Sequence, residues 1–197
     1  MEPESVAALL DLQAGVISRR QVLEAGGADK DIARCLRRRL WARVHDGVYV
    51  NHTGQLTHEQ RAWAAVLYYW PAALAGDSAL LAHGARTTGR RRHEQNLVEV
   101  AIAHTRSVGA CHGISVARVV DFDRQAQMNL SPPRLRVEHA LLTVASRAPE
   151  ESVGVGILGD ACQQRISTAS RLGRNPRRVP PGLSRGAISV DLPSRSG

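Results

Sequence analysis

The glycines at Gly15, Gly26-Gly27 and Gly47 divide residues 4–51 into pieces too short to hold structure alone, since isolated helices below about 12–15 residues are marginal in water. Whatever forms here must be several small elements packed on one another. Ser5 to Leu12 places Val6, Leu9 and Leu10 on one stripe, the spacing of a first helix. Gly15-Val16-Ile17 then leads to Ser18, an N-cap residue, ahead of Arg19 to Ala25 and the stop at Gly26-Gly27, which makes a second helix. Ala28-Asp29 opens a third, capped by Asp29 and running to about Arg39. Aromatics make up only 4% of the 197 residues, so the core must be built mainly from Leu, Val, Ala and Ile.

The third helix has two chemically different faces. Ile32, Cys35, Leu36 and Leu40 fall at the spacing of a buried stripe, and Lys30, Arg34, Arg37 and Arg38 lie opposite. Leu40 to Val44 and Val48 to Asn51 alternate in polarity around His45-Asp46-Gly47, and an Asp-Gly turn between alternating runs is a hairpin signal. Three short helices followed by a hairpin is the order of a winged helix-turn-helix, here expected at residues 4–52.

A second unit, an α/β domain, is expected at residues 56–166. Thr57 and Gln60 stand at capping-box spacing before Arg61 to Trp70, where Trp63, Val66, Leu67 and Trp70 make an apolar face ended by Pro71. Asp77-Ser78 is expected to cap Ala79 to His83; Leu97 to Ala103 and Gly113 to Val120 read as strands. Val137 to Ala148 and Glu150 to Gln164 read as helices, the first turning Ala140, Leu141, Val144 and Ala145 to a core. From Ile166 onward periodicity fails and Gly, Pro, Ser and Arg dominate, so residues 167–197 are expected to be a disordered basic tail. The fold class is thus α+β.

The formal net charge of +8 favours a polyanionic partner, and the placement of charge decides where it would bind. Phosphate contacts supply most of the affinity for DNA, while arginine also reads guanine in the major groove. Lys30, Arg34, Arg37 and Arg38 on the third helix meet that need, and Arg19, Arg20, Arg43 and His45 are placed to grip flanking phosphates. Trp41 is expected in the core rather than against DNA. Arg90-Arg91-Arg92-His93 forms a second basic cluster in a loop, and Arg171, Arg174, Arg177 and Arg178 would add non-specific affinity. His83, Cys111, His112 and Asp121 are chemically capable but share no spacing, so no catalytic residue, metal or cofactor is expected. Cys35, Cys111 and Cys162 show neither disulfide nor zinc spacing, and there is no signal peptide or membrane span, which fits a reducing cytoplasm.

The stretches Gly15-Val16-Ile17-Ser18-Arg19-Arg20-Gln21 and Leu36-Arg37-Arg38-Arg39-Leu40-Trp41-Ala42-Arg43-Val44-His45-Asp46-Gly47-Val48-Tyr49-Val50 resemble the N-terminal domain of AbiEi-type antitoxins of type IV toxin-antitoxin systems. Leu56 to Leu67 and Asp77-Ser78-Ala79-Leu80 are similar to actinobacterial members, to about Leu172. The resemblance implies a winged helix that binds promoter double-stranded DNA to repress its own operon, and an α/β domain that counters a nucleotidyltransferase toxin. Self-association is a further expectation, because a lone helix-turn-helix needs a second copy or paired sites. Many actinobacterial relatives continue into an endonuclease similar to very-short-patch-repair enzymes, whose PD-(D/E)XK constellation needs a lysine. The single lysine here, Lys30, lies in the candidate DNA-reading helix. The departure begins near Gly173, and a frameshift or early stop in a longer gene would account for it. On that alternative the chain is a truncated relative, acting as an interaction module or gene remnant. A nuclease-like reading frame in the adjacent DNA is its test.

Overall fold

The computed structural model describes residues 4–85 and 97–173. The chain begins with α1 (Glu4–Leu12). At Gly15 the backbone takes φ +85°, and any Cβ there would run into the Asn51 carboxamide. That sharp turn feeds β1 (Val16–Ser18), a strand too short to leave an alternation in the sequence, where only a connector was expected. Its three residues are buried and pair antiparallel with β3 (Val48–Val50), Val16 facing Val50 and Ser18 facing Val48. β3 in turn pairs with β2 (Ala42–His45) across Asp46-Gly47, giving a three-stranded sheet in the order β1-β3-β2. Gly47 sits at φ +69°, as the hairpin turn requires.

Ser18 closes β1 and caps α2 (Arg19–Glu24): its hydroxyl accepts the Gln21 N–H while the Gln21 side chain accepts the Ser18 N–H. For α3 (Asp29–Arg37) the expected cap is displaced by one residue. Ala28 is the N-cap, its N–H held at 3.0 Å by the Asp31 carboxylate, and Asp29 is freed to pair with Arg19. The helix ends at Arg37 because Arg39 turns into the left-handed region at φ +56°. Leu40, expected on the buried stripe, is therefore rotated outward and is 54% exposed. Trp41 takes the core position and stacks on Tyr49 at 6.1 Å, among Val6, Leu10, Ile17, Val22 and Ile32.

α4 (His58–Tyr68) starts with the expected Thr57–Gln60 capping box. Its burial is two-sided. Trp63, Ala64 and Leu67 pack on Val16, Val48 and Val50 of the first sheet, whereas Ala62, Ala65 and Val66 join a second core. Trp70 lies beyond the helix end, 37% exposed, instead of on the apolar face.

The second sheet has the order β6-β5-β4-β8-β7, with β5 (Val98–Ala103) parallel to β6 (Ile114–Val119). β4 (Ala73–Leu74), β7 (Ala126–Gln127) and β8 (Arg134–Leu135) are two-residue strands, invisible to any periodicity argument. Along β5 successive side chains part to opposite faces. Val98, Val100 and Ile102 meet α4, α5 (Gly76–Ala82), α7 (Val137–Ser146) and α8 (Glu151–Gln163); Ala101 meets Phe122 of the short α6 (Phe122–Gln125). α5 is not capped by Asp77-Ser78: Ala75 is the N-cap, and the Asp77 N–H is taken by Glu99 from β5 at 2.7 Å. Val144, expected in the core, is only half-buried, and Leu142 is buried instead.

Order also extends further than expected. α9 (Ala169–Gly173) follows α8, with Ser167 at 3% and Leu172 at 1% exposure, because Leu172 packs into the second core. The Arg90–His93 cluster and Arg174, Arg177 and Arg178 lie outside the described residues. No helix among the described residues is long and apolar enough to cross a membrane.

Because α4 supplies both cores, urea unfolding followed by tryptophan fluorescence and by far-UV circular dichroism is expected to give one coincident transition. Trp63→Ala is expected to lower the stability of that whole transition by about 3–5 kcal/mol. Two separated transitions, with only the first moved by the substitution, would show that the units fold independently.

Candidate nucleic-acid interface

α3 carries Lys30, Arg34, Arg37 and, at its C-cap, Arg38, spaced i, i+4, i+7 and i+8 and thus along one side of the helix. The opposite side is anchored by Ile32 and Cys35 in the first core. Lys30, Arg37 and Arg38 are exposed and meet no carboxylate among the described residues. Arg34 differs, being half-buried and bonded to Asp31 at 2.8 Å. Arg39 is exposed beside them; the sequence reading passed over it, although it belongs to the same arginine run.

Two further cations come from the start of α2. Arg19 forms a two-pronged pair with Asp29, at 2.7 and 2.6 Å, which ties the N-terminus of α2 to that of α3. That hydrogen bond holds the Asp29 carboxyl below its ordinary range and the Arg19 guanidinium above its own. Arg20 pairs with Glu24 one turn along, at 2.8 and 2.9 Å, and lies over the Trp70 ring at 5.2 Å. On the hairpin, Arg43 stands 3.6 Å from Asp46, both largely exposed. Exposed pairs of this kind are screened by solvent and add little stability, so each guanidinium can exchange its carboxylate for another oxyanion at little cost.

His45 is placed differently from the other candidates. Its ring is half-buried, tilted on Tyr68 at 5.1 Å, with Nδ1 3.5 Å from the Cys111 sulfur. It faces the second unit. The hairpin is thereby buttressed from the rear, alongside the Tyr69 hydroxyl, which donates to the Gly109 carbonyl at 2.7 Å.

The chemically capable residues of the second unit do not converge. His83 Nε2 bonds the Leu135 carbonyl at 2.9 Å, Cys111 sits against His45, His112 is exposed, and Asp121 opens α6 at φ +49°. No group of three or more His, Cys, Asp or Glu side chains arranged for a metal ion is found among the described residues. Cys35, Cys111 and Cys162 are not joined in disulfides.

No family model and no curated protein matches the chain. Among solved structures, the RV2827C protein from Mycobacterium tuberculosis is similar at 18% identity over 86% of this chain and 69% of that chain, with a TM-score of 0.49.

Burial lowers the basicity of both His45 and His83. Their native-state pKa values lie below the unfolded value of about 6.5, so below that pH the unfolded chain binds protons the native state resists. Stability is expected to be unaffected by these groups above about pH 7 and to fall as pH drops through 6.5 toward the lowered native values. Urea midpoints across that window should move less in His45→Gln than in the unsubstituted chain; an equal response would remove His45 as a contributor.

Proposed function

We propose that this chain is a DNA-binding transcriptional regulator whose residues 4–52 act as a winged helix-turn-helix, with α2 and α3 as the helical pair and β2–β3 as the wing. The observation that carries this reading is the face of α3. Three exposed cations, Lys30, Arg37 and Arg38, stand without carboxylates among the described residues, on a helix whose other side is packed into the core. A solvated helix face has no need to leave three like charges uncompensated, whereas a polyphosphate surface supplies the missing anions.

In this mechanism α3 enters the major groove, with Arg37 and Arg38 directed at base edges and phosphates and Arg34 released from Asp31 to join them. Arg19 and Arg20 at the head of α2, and Arg43 on the hairpin, exchange their own carboxylates for backbone phosphates. His45 is left out of the contact set because its ring is turned toward Tyr68 and Cys111. The resemblance of the same residues to AbiEi-type antitoxins extends the proposal to repression of the chain's own operon and to a nucleotidyltransferase toxin as partner of the second unit. One helix-turn-helix spans half a site, so the binding form we propose is two copies on paired half-sites. No catalysis is assigned to the second unit.

The test is fluorescence anisotropy of the full chain with duplex DNA from upstream of its own gene and with a scrambled duplex, across a salt series. The upstream duplex should be preferred, and Arg37→Ala/Arg38→Ala should abolish the preference and reduce the slope of log K against log salt by about 0.9 per lost phosphate contact. Equal, weak binding to both duplexes that survives the double substitution would sink the reading.

A further inference from the structure

Arg20, the outer cation of α2, is the first link of a chain of contacts leading into the second unit. Its guanidinium lies 5.2 Å from the centre of the Trp70 ring, and Trp70 is 37% exposed. The carbonyls of Trp70 and Pro71 each accept a hydrogen bond from the Arg106 guanidinium, at 3.2 and 2.5 Å. The Arg106 carbonyl in turn accepts from Arg118 Nε, on β6, at 3.1 Å. Three guanidinium groups are thus linked in series, Arg20 through the Trp70 ring and Arg106 and Arg118 through backbone carbonyls, and the carboxylate paired with one of them among the described residues is Glu24, on Arg20. Arg106 and Arg118 are held by neutral carbonyls, which fix the side chains, and neither is paired with a carboxylate among the described residues. Arg118 is exposed, and its two terminal nitrogens have no protein partner among the described residues.

We infer that this strip is a second phosphate-binding surface, which carries the backbone of the duplex held by α3 onto the second unit, with Arg118 as its outermost contact. The inference rests on the DNA-binding reading above. Continuity supports it: Arg19, next to Arg20, donates its backbone N–H to Gly47 of the hairpin turn, so the strip begins where the candidate interface ends. Charge supports it too, since a guanidinium pinned through Nε presents its remaining N–H groups to an oxyanion without further ordering. Trp70 contributes an apolar platform that holds Arg20 in place.

The experiment is a salt series of anisotropy titrations with the full chain and the upstream duplex, comparing Arg118→Gln, Arg118→Lys and, as an off-strip control of equal charge change, Arg165→Gln, at an exposed arginine just past the end of α8. A phosphate contact at Arg118 predicts a slope shallower by about 0.9 in Arg118→Gln, restored in Arg118→Lys and unchanged in Arg165→Gln. Unchanged slopes throughout, or equal changes in Arg118→Gln and Arg165→Gln, overturn the inference. Arg37→Ala/Arg38→Ala run in parallel separates the two failures. If that variant loses affinity while Arg118→Gln does not, only the strip is wrong; if neither matters, the DNA-binding reading fails and the strip with it.

Discussion

Everything in this molecule hangs on the two-sided burial of α4. A helix that presents one stripe to a core can be peeled away with that core, but α4 is apolar on both flanks. Trp63, Ala64 and Leu67 close the first sheet, and Ala62, Ala65 and Val66 close the second core. Removing the helix would leave Val16, Val48 and Val50, each at 1% exposure or less, facing water. Alanines make this possible: at Ala62, Ala64 and Ala65 the side chain is small enough for structure on either side to approach closely. Polar bonds reinforce the junction, since Gln60 donates to the Ala14 carbonyl at 2.9 Å while its carboxamide oxygen lies 3.1 Å from His52.

That junction fixes the pose of the cationic surface. The hairpin is held from behind by Tyr68, Cys111 and the Trp63 side of α4, and α3 is held by the Arg19–Asp29 pair and by Ile32 and Cys35. The helix and the hairpin therefore present their charges from fixed positions. A tandem of two loosely tethered modules would lack this fixity, and a strip running from α2 to Arg118 would not exist without it.

Local chemistry was legible in the sequence and tertiary chemistry was not. Ser18 and Thr57 announced the starts of α2 and α4 because a cap is made within four residues, and Asp46-Gly47 announced the hairpin because a turn carries its own geometry. β1, β4, β7 and β8 stayed hidden, since two or three residues contain no period. Leu40 turned outward because the left-handed turn came at Arg39, a residue that gives no warning of it, rather than at a glycine, while Trp41 took the core position expected of it. His45 was counted with the outward cations, yet its partner Cys111 is 66 residues away. The cations of the candidate site were all visible as residues, but their carboxylate partners were not weighed, although Glu24 stands at i+4 from Arg20 and Asp31 at i−3 from Arg34.

Those partners give the proposed interface a graded response to any polyanion. Arg19, Arg20 and Arg34 each rest on an internal oxyanion, so an incoming phosphate gains from them only the difference between two similar bonds, while Lys30, Arg37 and Arg38 yield their full attraction at first encounter. A duplex met in passing would be held by the uncommitted charges alone and released quickly. Only one whose contour aligns every phosphate with its guanidinium would displace the carboxylates together, so residence time, rather than capture rate, becomes the quantity by which such a surface tells one stretch of DNA from another.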